Sequence, residues 1–349
     1  EAPETGETAE GAEAPPRAAA PATIDDFVAG WATLDAELQA SGGRGLAVLS
    51  PSFSSPTLAR LAGQLRQRFP QASWTVHDAV SAENELDGIQ AATGGSWLPV
   101  RDFSKADVVL ALDCDFLLTD GDVVANARGF AERRRVTSPS DPMNRLYAVE
   151  GTHSLTGANA DHRLRLASGR VAAFVASLTS ALAARGLDVP AVRGASAADI
   201  DEAFVGAVAA DLLAKRGSGL IVAGRRQPAA VHAAVYALNA ALGNVGTTVR
   251  YRTMTDAGRP SRRGIAELTR AMASGQVTTL VVLGSNPAYD ATADLGFTEA
   301  LGSVSHFIHL GSHVDETAAH ANWHVPQAHF LEAWGDVRAV DGTASVIQP

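Results

Sequence analysis

Three stretches share one local design, an apolar strand that stops at an abrupt polar turn and passes into helix. They read DVVLALDCDF from Asp107, GLIVAGRRQP from Gly219 and TTLVVLGSNP from Thr278. Runs of Val, Ile and Leu without alternation suit strands buried on both faces, as in parallel sheets covered by helices. In such sheets ligands bind beyond the carboxyl ends of the strands, where these polar turns lie. The stretches predict a nucleotide-type α/β scaffold, and they place the question of function at the turns.

The periodicity between them fills in an alternation of strands and helices. A helix is predicted over Ile24–Ala40, ended by Gly42 and Gly43, then a short strand at 45–50. Ser55-Pro56 opens the next helix with a capping Ser and Pro at the first position, and Leu58, Leu61, Leu65 and Phe69 share one side of it. Strands follow at SWTVH from Ser73, at 107–113 and at Arg145–Glu150, with a helix over 122–133. Val171, Phe174, Val175, Leu178 and Leu182 stripe a helix closed by Gly186. A strand at Gly219–Ala223 leads to a helix from Pro228 that Gly243 stops; strands at 247–251, 278–283 and 304–310 and a helix over 264–274 complete the pattern. This alternation predicts an α/β fold of mostly parallel, doubly wound sheets. At 349 residues the chain fits two lobes, 23–190 and 191–349, with the boundary near 187–198. The Ala-, Glu-, Pro- and Gly-rich residues 1–22 read as a disordered lead-in or linker.

Composition narrows the function classes. A net charge of −10 argues against nucleic acid or an anionic membrane as partner. Cys114 is the single cysteine, so an intrachain disulfide is impossible and a cluster site needing several thiolates is excluded within these residues. No apolar run reaches the ~18–20 residues that span a bilayer. The chain begins with Glu and shows no charged-then-apolar leader, which suggests a processed form or a piece of something larger.

The short motifs each admit two readings. In LGSNPAYD, Gly284 would let a ligand approach the backbone, Asn286 could cap the next helix and Pro287 fits its start, so the turn could present N–H groups to a phosphate. The same residues would equally serve a bare strand-to-helix corner. DCDFLLTDGD sets Asp113, Asp115, Asp120 and Asp122 just past a strand, resembling the acidic pair of haloacid-dehalogenase-type phosphohydrolases that hold Mg²⁺. That chemistry also wants a lysine, and Lys105 and Lys215 are poorly placed; turn-forming Asp residues are the simpler account. His306, His309, His313, His320, His324 and His329 are dense enough to suggest zinc or iron, yet no HExxH is present and a strand would send His306 and His309 to opposite faces. Arg133, Arg134 and Arg135 read as a solvated helix end favoured by the helix dipole.

Longer segments carry a resemblance. YAVEGTHSLTGANADHRLRL (147–166) is similar to the B subunit of alternative complex III, a membrane-bound quinol:electron-acceptor oxidoreductase of bacteria. In order, MNRLY, IVAGRRQPAAVHAAVYALNAALGNVG from Ile221, LVVLGSNPAYDATADLGF from Leu280 and the closing ANWHVPQAHFLEAWGDVRAVDGTASVIQP agree, covering nearly all of 24–349. That subunit in turn resembles the middle domains of molybdopterin oxidoreductases, where strand ends like those at Asp113, Gly224 and Gly284 face a pterin guanine dinucleotide; ALGNVG at 241–246 and DGT at 341–343 fit the same pattern.

The resemblance implies a module without the molybdenum cofactor, with Asp113, Gly224, Gly284, Asn286 and Asp290 as a vestigial pocket and no catalytic or metal-binding residue. Cys114 sits in a strand-end motif, away from where molybdenum enzymes carry their metal ligand. Iron–sulfur clusters are expected in a cysteine-rich region downstream, and a variant twin-arginine export signal upstream. Implied partners are that iron–sulfur module, haem c subunits and integral membrane quinol-oxidising subunits, on the extracytoplasmic (periplasmic) face of the membrane. The alternative is a working molybdopterin-dependent oxidoreductase whose pterin would be lined by Asp113, Gly284, Asn286 and Asp290.

Overall fold

The computed structural model describes residues 20–192, 199–254 and 258–349. Most of the expected lead-in (to residue 19) and half of the expected lobe boundary (193–198) lie outside the described residues. In chain order, the first elements are α1 (Ile24–Ala40), β1 (Leu46–Ser50), α2 (Pro56–Arg68), β2 (Ser73–Val76), α3 (Glu83–Thr93) and β3 (Trp97–Arg101). Next come β4 (Val108–Leu112), α4 (Val123–Glu132), β5 (Arg145–Glu150), the single turn α5 (Leu155–Ala158) and β6 (His162–Arg165). They are followed by α6 (Val171–Ala183), α7 (Glu202–Ala214), β7 (Gly219–Ala223), α8 (Ala229–Ala241) and β8 (Val249–Thr253). The last are α9 (Arg262–Ala273), β9 (Thr279–Leu283), α10 (Pro287–Asp290), α11 (Phe297–Leu301), β10 (His306–Gly311), β11 (Trp323–Pro326), β12 (Gly335–Arg338) and β13 (Ala344–Ile347).

Two parallel sheets organise the chain, in the orders β11-β10-β9-β1-β2 and β6-β5-β4-β7. Both are covered on both faces, as the unbroken apolar runs predict. On β4, Val108, Leu110 and Leu112 join Phe174, Leu178, Leu212 and Leu238 on the helical side. Val109 and Ala111 face the opposite way, onto Phe103, Phe116 and Phe130. In the five-stranded sheet, Leu49, Leu280 and Val282 meet Ile265, Leu268 and Phe307, while Leu46 meets Leu38 and Phe69 on the other side. The fold is therefore α/β with mostly parallel, doubly wound sheets in two lobes.

The lobes do not divide at residue 190. Strand β1 pairs with β9, so the first lobe is closed by residues from near both ends of the described chain, and the four-stranded lobe is inserted between them. Alternation along the chain reveals strands but not their neighbours, and a sheet accepts a distant strand as readily as a near one. The small antiparallel pair β3–β8 joins the points where the chain enters and leaves the inserted lobe. Pro99 in β3 is compatible with an edge position.

Arg133 and Arg134 also depart from expectation. Arg133 pairs with Asp107, and Arg134 pairs with Asp161, donates to Asn144 Oδ1 at 2.9 Å and stacks over Phe130. They bind the end of α4 to its sheet instead of extending into water. The 147–166 stretch likewise has a local rationale. The buried Glu150 carboxylate accepts from Ser154 N and Oγ and from Arg163 Nε at 2.6 Å. A Cβ on Gly157 would lie 1.8 Å from Glu150 Oε1, so only glycine fits there. Among the described residues no helix is long and apolar enough to cross a membrane.

Helices α3 and α8 press together where the lobes meet. A Cβ on Gly88 would sit 2.4 Å from Ala229 O and 2.6 Å from His232 Cβ. Gly88→Ala should lower stability by about 1–3 kcal/mol through overpacking, against the ~1 kcal/mol that alanine gains in helix propensity. Urea denaturation of the full chain measures the difference.

Candidate functional site

A parallel sheet offers a ligand crevice where adjacent strands lead their connections to opposite sides. In the five-stranded sheet that point lies between β1 and β9; in the four-stranded sheet it lies between β4 and β7. The five candidate residues fall on these two points. Asp113 and Gly224 follow β4 and β7, while Gly284, Asn286 and Asp290 follow β9.

At the first point the two turns close on each other. Asp113 has a left-handed backbone, φ +48°, and its buried carboxylate accepts from Ser168 Oγ at 2.5 Å and Gln227 Nε2 at 3.0 Å. Gly224 lies so near that a Cβ would be 1.9 Å from Asp113 O. The Asp120 carboxylate spans the crevice, accepting from Asp115 N at 2.9 Å on one turn and from Arg225 N at 3.1 Å on the other. Asp115 in turn accepts from Thr156 N and Oγ1 at 2.9 and 2.8 Å, and Asp122 caps α4 at Ala125 N. The four aspartates thus serve separate sets of structural partners, and the phosphohydrolase reading loses its converging acidic pair. Cys114 lies buried beside them, its thiol pushed well above its ordinary pKa chiefly by burial.

The second point is also occupied by protein groups. Gly284 has φ +64°, and Gln327 Oε1 stands 3.1 Å from where its Cβ would be. Asn286 Oδ1 accepts from Thr317 N and Oγ1 at 3.1 and 2.7 Å, and its Nδ2 donates to Glu316 Oε2 at 2.6 Å. Asp290 Oδ1 faces His77 Nε2 across 3.5 Å. The next turn, after β1, carries Ser55 as the cap of α2, and the Asp336 carboxylate sits there, accepting from Ser55 Oγ and from Thr57 N and Oγ1 at 3.1 and 2.7 Å.

One polar pair escaped the sequence reading. Parallel register sets His309 of β10 beside His324 of β11, with their Nδ1 atoms 3.1 Å apart. His309 is fully buried, and its Nε2 faces Ser285 O at 3.2 Å. A side chain at Gly311 would collide with its ring. His306 lies exposed on the other face, as strand geometry requires. Among the described residues no group of three or more His, Cys, Asp or Glu is placed to hold a metal ion.

Between the lobes the two strand-end edges enclose adjoining cavities of about 540 and 520 Å³. Their walls include Arg101, Arg225, Arg250 and Arg252, with Arg101 paired to Glu85. A pterin dinucleotide would need free N–H donors for its phosphates at the strand ends. Here the donors at Asp115, Arg225 and Thr57 already hold carboxylates, whose charge repels a phosphate. At those three donors the residues present do not fit a phosphate.

The α/β fold is shared with two solved structures. Acetylene hydratase from Pelobacter acetylenicus superimposes with a TM-score of 0.69 at 13% identity, over 94% of this chain and 55% of that one. A chain of the formyltransferase/hydrolase complex (FhcABCD) from Methylorubrum extorquens, solved with methylofuran, superimposes with a TM-score of 0.58 at 16% identity, over 94% of this chain and 90% of that one. The chain therefore spans about half of the acetylene hydratase chain. No protein-family profile and no curated protein sequence matches it.

Two outcomes follow for this region. Asp120→Ala orphans the Asp115 and Arg225 amides and should cost about 2 kcal/mol or more in urea denaturation. His232, buried on α8 with Nε2 lacking a hydrogen-bond partner, has its pKa lowered chiefly by burial. A histidine harder to protonate when folded favours the folded state above the unfolded value and penalises it below. Stability should thus decline as pH falls below about 6.5, and His232→Gln should flatten that slope in melts between pH 7 and pH 5.

Proposed function

We propose that the chain is a non-catalytic, molybdopterin oxidoreductase-like scaffold of a membrane-bound quinol:electron-acceptor oxidoreductase, the alternative complex III type. The observation that carries the reading is the Asp120 carboxylate bridging the Asp115 and Arg225 amides, which puts the chain's own negative charge where a dinucleotide phosphate would need donors. In this role the chain braces a neighbouring iron–sulfur module together with haem c and quinol-oxidising subunits on the periplasmic face. Electrons pass through those groups, since Cys114 is the only thiol here.

Two further features support assembly into a complex. Phe330, Leu331 and Trp334 stand 60%, 63% and 70% exposed in one short stretch, large apolar side chains of the kind that subunit contacts bury. The second structural neighbour is itself one chain of a multi-subunit complex and is matched over nearly its whole length. The cavities between the lobes favour one competing reading, a working molybdopterin-dependent oxidoreductase.

Purification of the intact native assembly, followed by metal analysis and pterin extraction, decides between them. The scaffold reading expects iron without stoichiometric molybdenum or pterin. One molybdenum and bound pterin per copy of this chain would overturn it.

A further inference from the structure

The hairpin β12–β13 belongs to neither large sheet. An isolated two-stranded hairpin is marginally stable at best in water, so its placement depends on what it docks against. Among the described residues strand β12 pairs only with β13, register Gly335↔Ile347 to Arg338↔Ala344, and much of the hairpin is exposed. Hydrogen bonds at Asp336, the Arg338 amide and Arg252 hold it to the rest. The Asp336 carboxylate caps the first turn of α2 through Ser55 Oγ, Thr57 N and Thr57 Oγ1. The Arg338 amide donates to Ser54 O at 2.7 Å. Arg252 of β8 donates from Nε to Val340 O at 3.0 Å and from Nη2 to Ala339 O at 3.4 Å.

These anchors lie on opposite sides of an opening. Ser54, Ser55 and Thr57 belong to the five-stranded lobe, whereas Arg252 belongs to the β3–β8 pair that links it to the inserted lobe. Residues 337–340 form a wall shared with Ser52, Ser54, Gly121 and Asp122, and Val340 and Asp341 reach the second cavity. The hairpin and its turn therefore line both cavities of the inter-lobe cleft.

We propose that the β12–β13 hairpin is a strap over the inter-lobe cleft, latched by the Asp336 carboxylate as an internal anion at the start of α2. The N–H groups there point outward and favour negative charge. Charge-assisted hydrogen bonds of this kind are about twice as strong as neutral ones. Bonds from Ser55 and Thr57 also hold the Asp336 carboxyl below the usual carboxylate range, so the latch stays charged into acid. Breaking the latch frees the strap as a folded unit and opens the cleft, while both parallel sheets stay intact.

Two neighbouring amides report separately on docking and on the hairpin itself. Arg338 N bonds across to Ser54 O, whereas Ala339 N bonds within the hairpin to Thr343 O at 2.8 Å. Residue-resolved hydrogen exchange on the full chain compares wild type with Asp336→Ala. The strap predicts that the Arg338 amide exchanges on the order of tenfold faster or more, while Ala339 stays within about threefold and β4 and β9 amides keep their protection. Unchanged Arg338 protection overturns the latch, and a parallel rise at Ala339 overturns the strap as a folded unit. Should Asp336→Ala fail to fold, Thr57→Val removes one donor from the other side and must shift Arg338 in the same direction. The outcome is independent of molybdenum content, so it can fail while the scaffold role stands, or the reverse.

Discussion

The pairing of β1 with β9 is the constraint on which the architecture depends. Their register, Leu46↔Thr279 to Leu49↔Val282, brings together segments more than two hundred residues apart and leaves the four-stranded lobe as an insertion. Once that ladder forms, the chain must leave and re-enter the first lobe at adjoining points, which the β3–β8 pair joins. The strand-end edges then face a common cleft, and α3 must pack on α8 closely enough that Gly88 tolerates no side chain.

Strand ends in such sheets create a second obligation. Turns beyond them expose backbone N–H groups that must find partners, since a buried unpaired donor costs free energy comparable to a lost hydrogen bond. Dinucleotide-binding folds meet that need with phosphate oxygens. This chain meets it with Asp120 at one switch point and Asp336 near the other, while Asn286 is held by Thr317. The aspartates satisfy the donors and at the same time install charges that oppose a phosphate. The same side chains thus satisfy the turn donors and set the charge at the strand ends.

Much of the fold was legible because burial on both faces writes itself into composition. Helix α1 and strands β5 and β7 coincide with expectation, and Gly186 and Gly243 end their helices at positive φ. Long-range pairing was not legible: nothing local in LAVLS states that its neighbour is TLVVL, so the lobe boundary was misplaced. Helix α7 went unseen because its apolar residues leave little one-sided periodicity, and the β12–β13 hairpin because most of its side chains are exposed. At the site, the five candidates stand beyond strand ends, yet Ser168 and Gln227 beside Asp113, Thr317 beside Asn286 and His77 beside Asp290 come from distant segments. A motif marks a turn; only the fold supplies what the turn holds.

The His309–His324 pair illustrates the same separation from another direction. Six histidines in two dozen residues suggested ligation, but their sequence spacing carried no sign of which would meet. Parallel register selects two of them, since His309 stands opposite His324 as Leu310 stands opposite Val325. With Nδ1 atoms 3.1 Å apart, one ring must donate and the other accept, so the pair can hold one proton between these atoms but not two without repulsion. The His324 pKa is lowered accordingly, by burial first and by His309 second. Two of the histidines that a composition count offers to a metal are, in this fold, each other's hydrogen-bond partners, just as the aspartates that suggest a phosphohydrolase are held by separate side-chain and backbone donors.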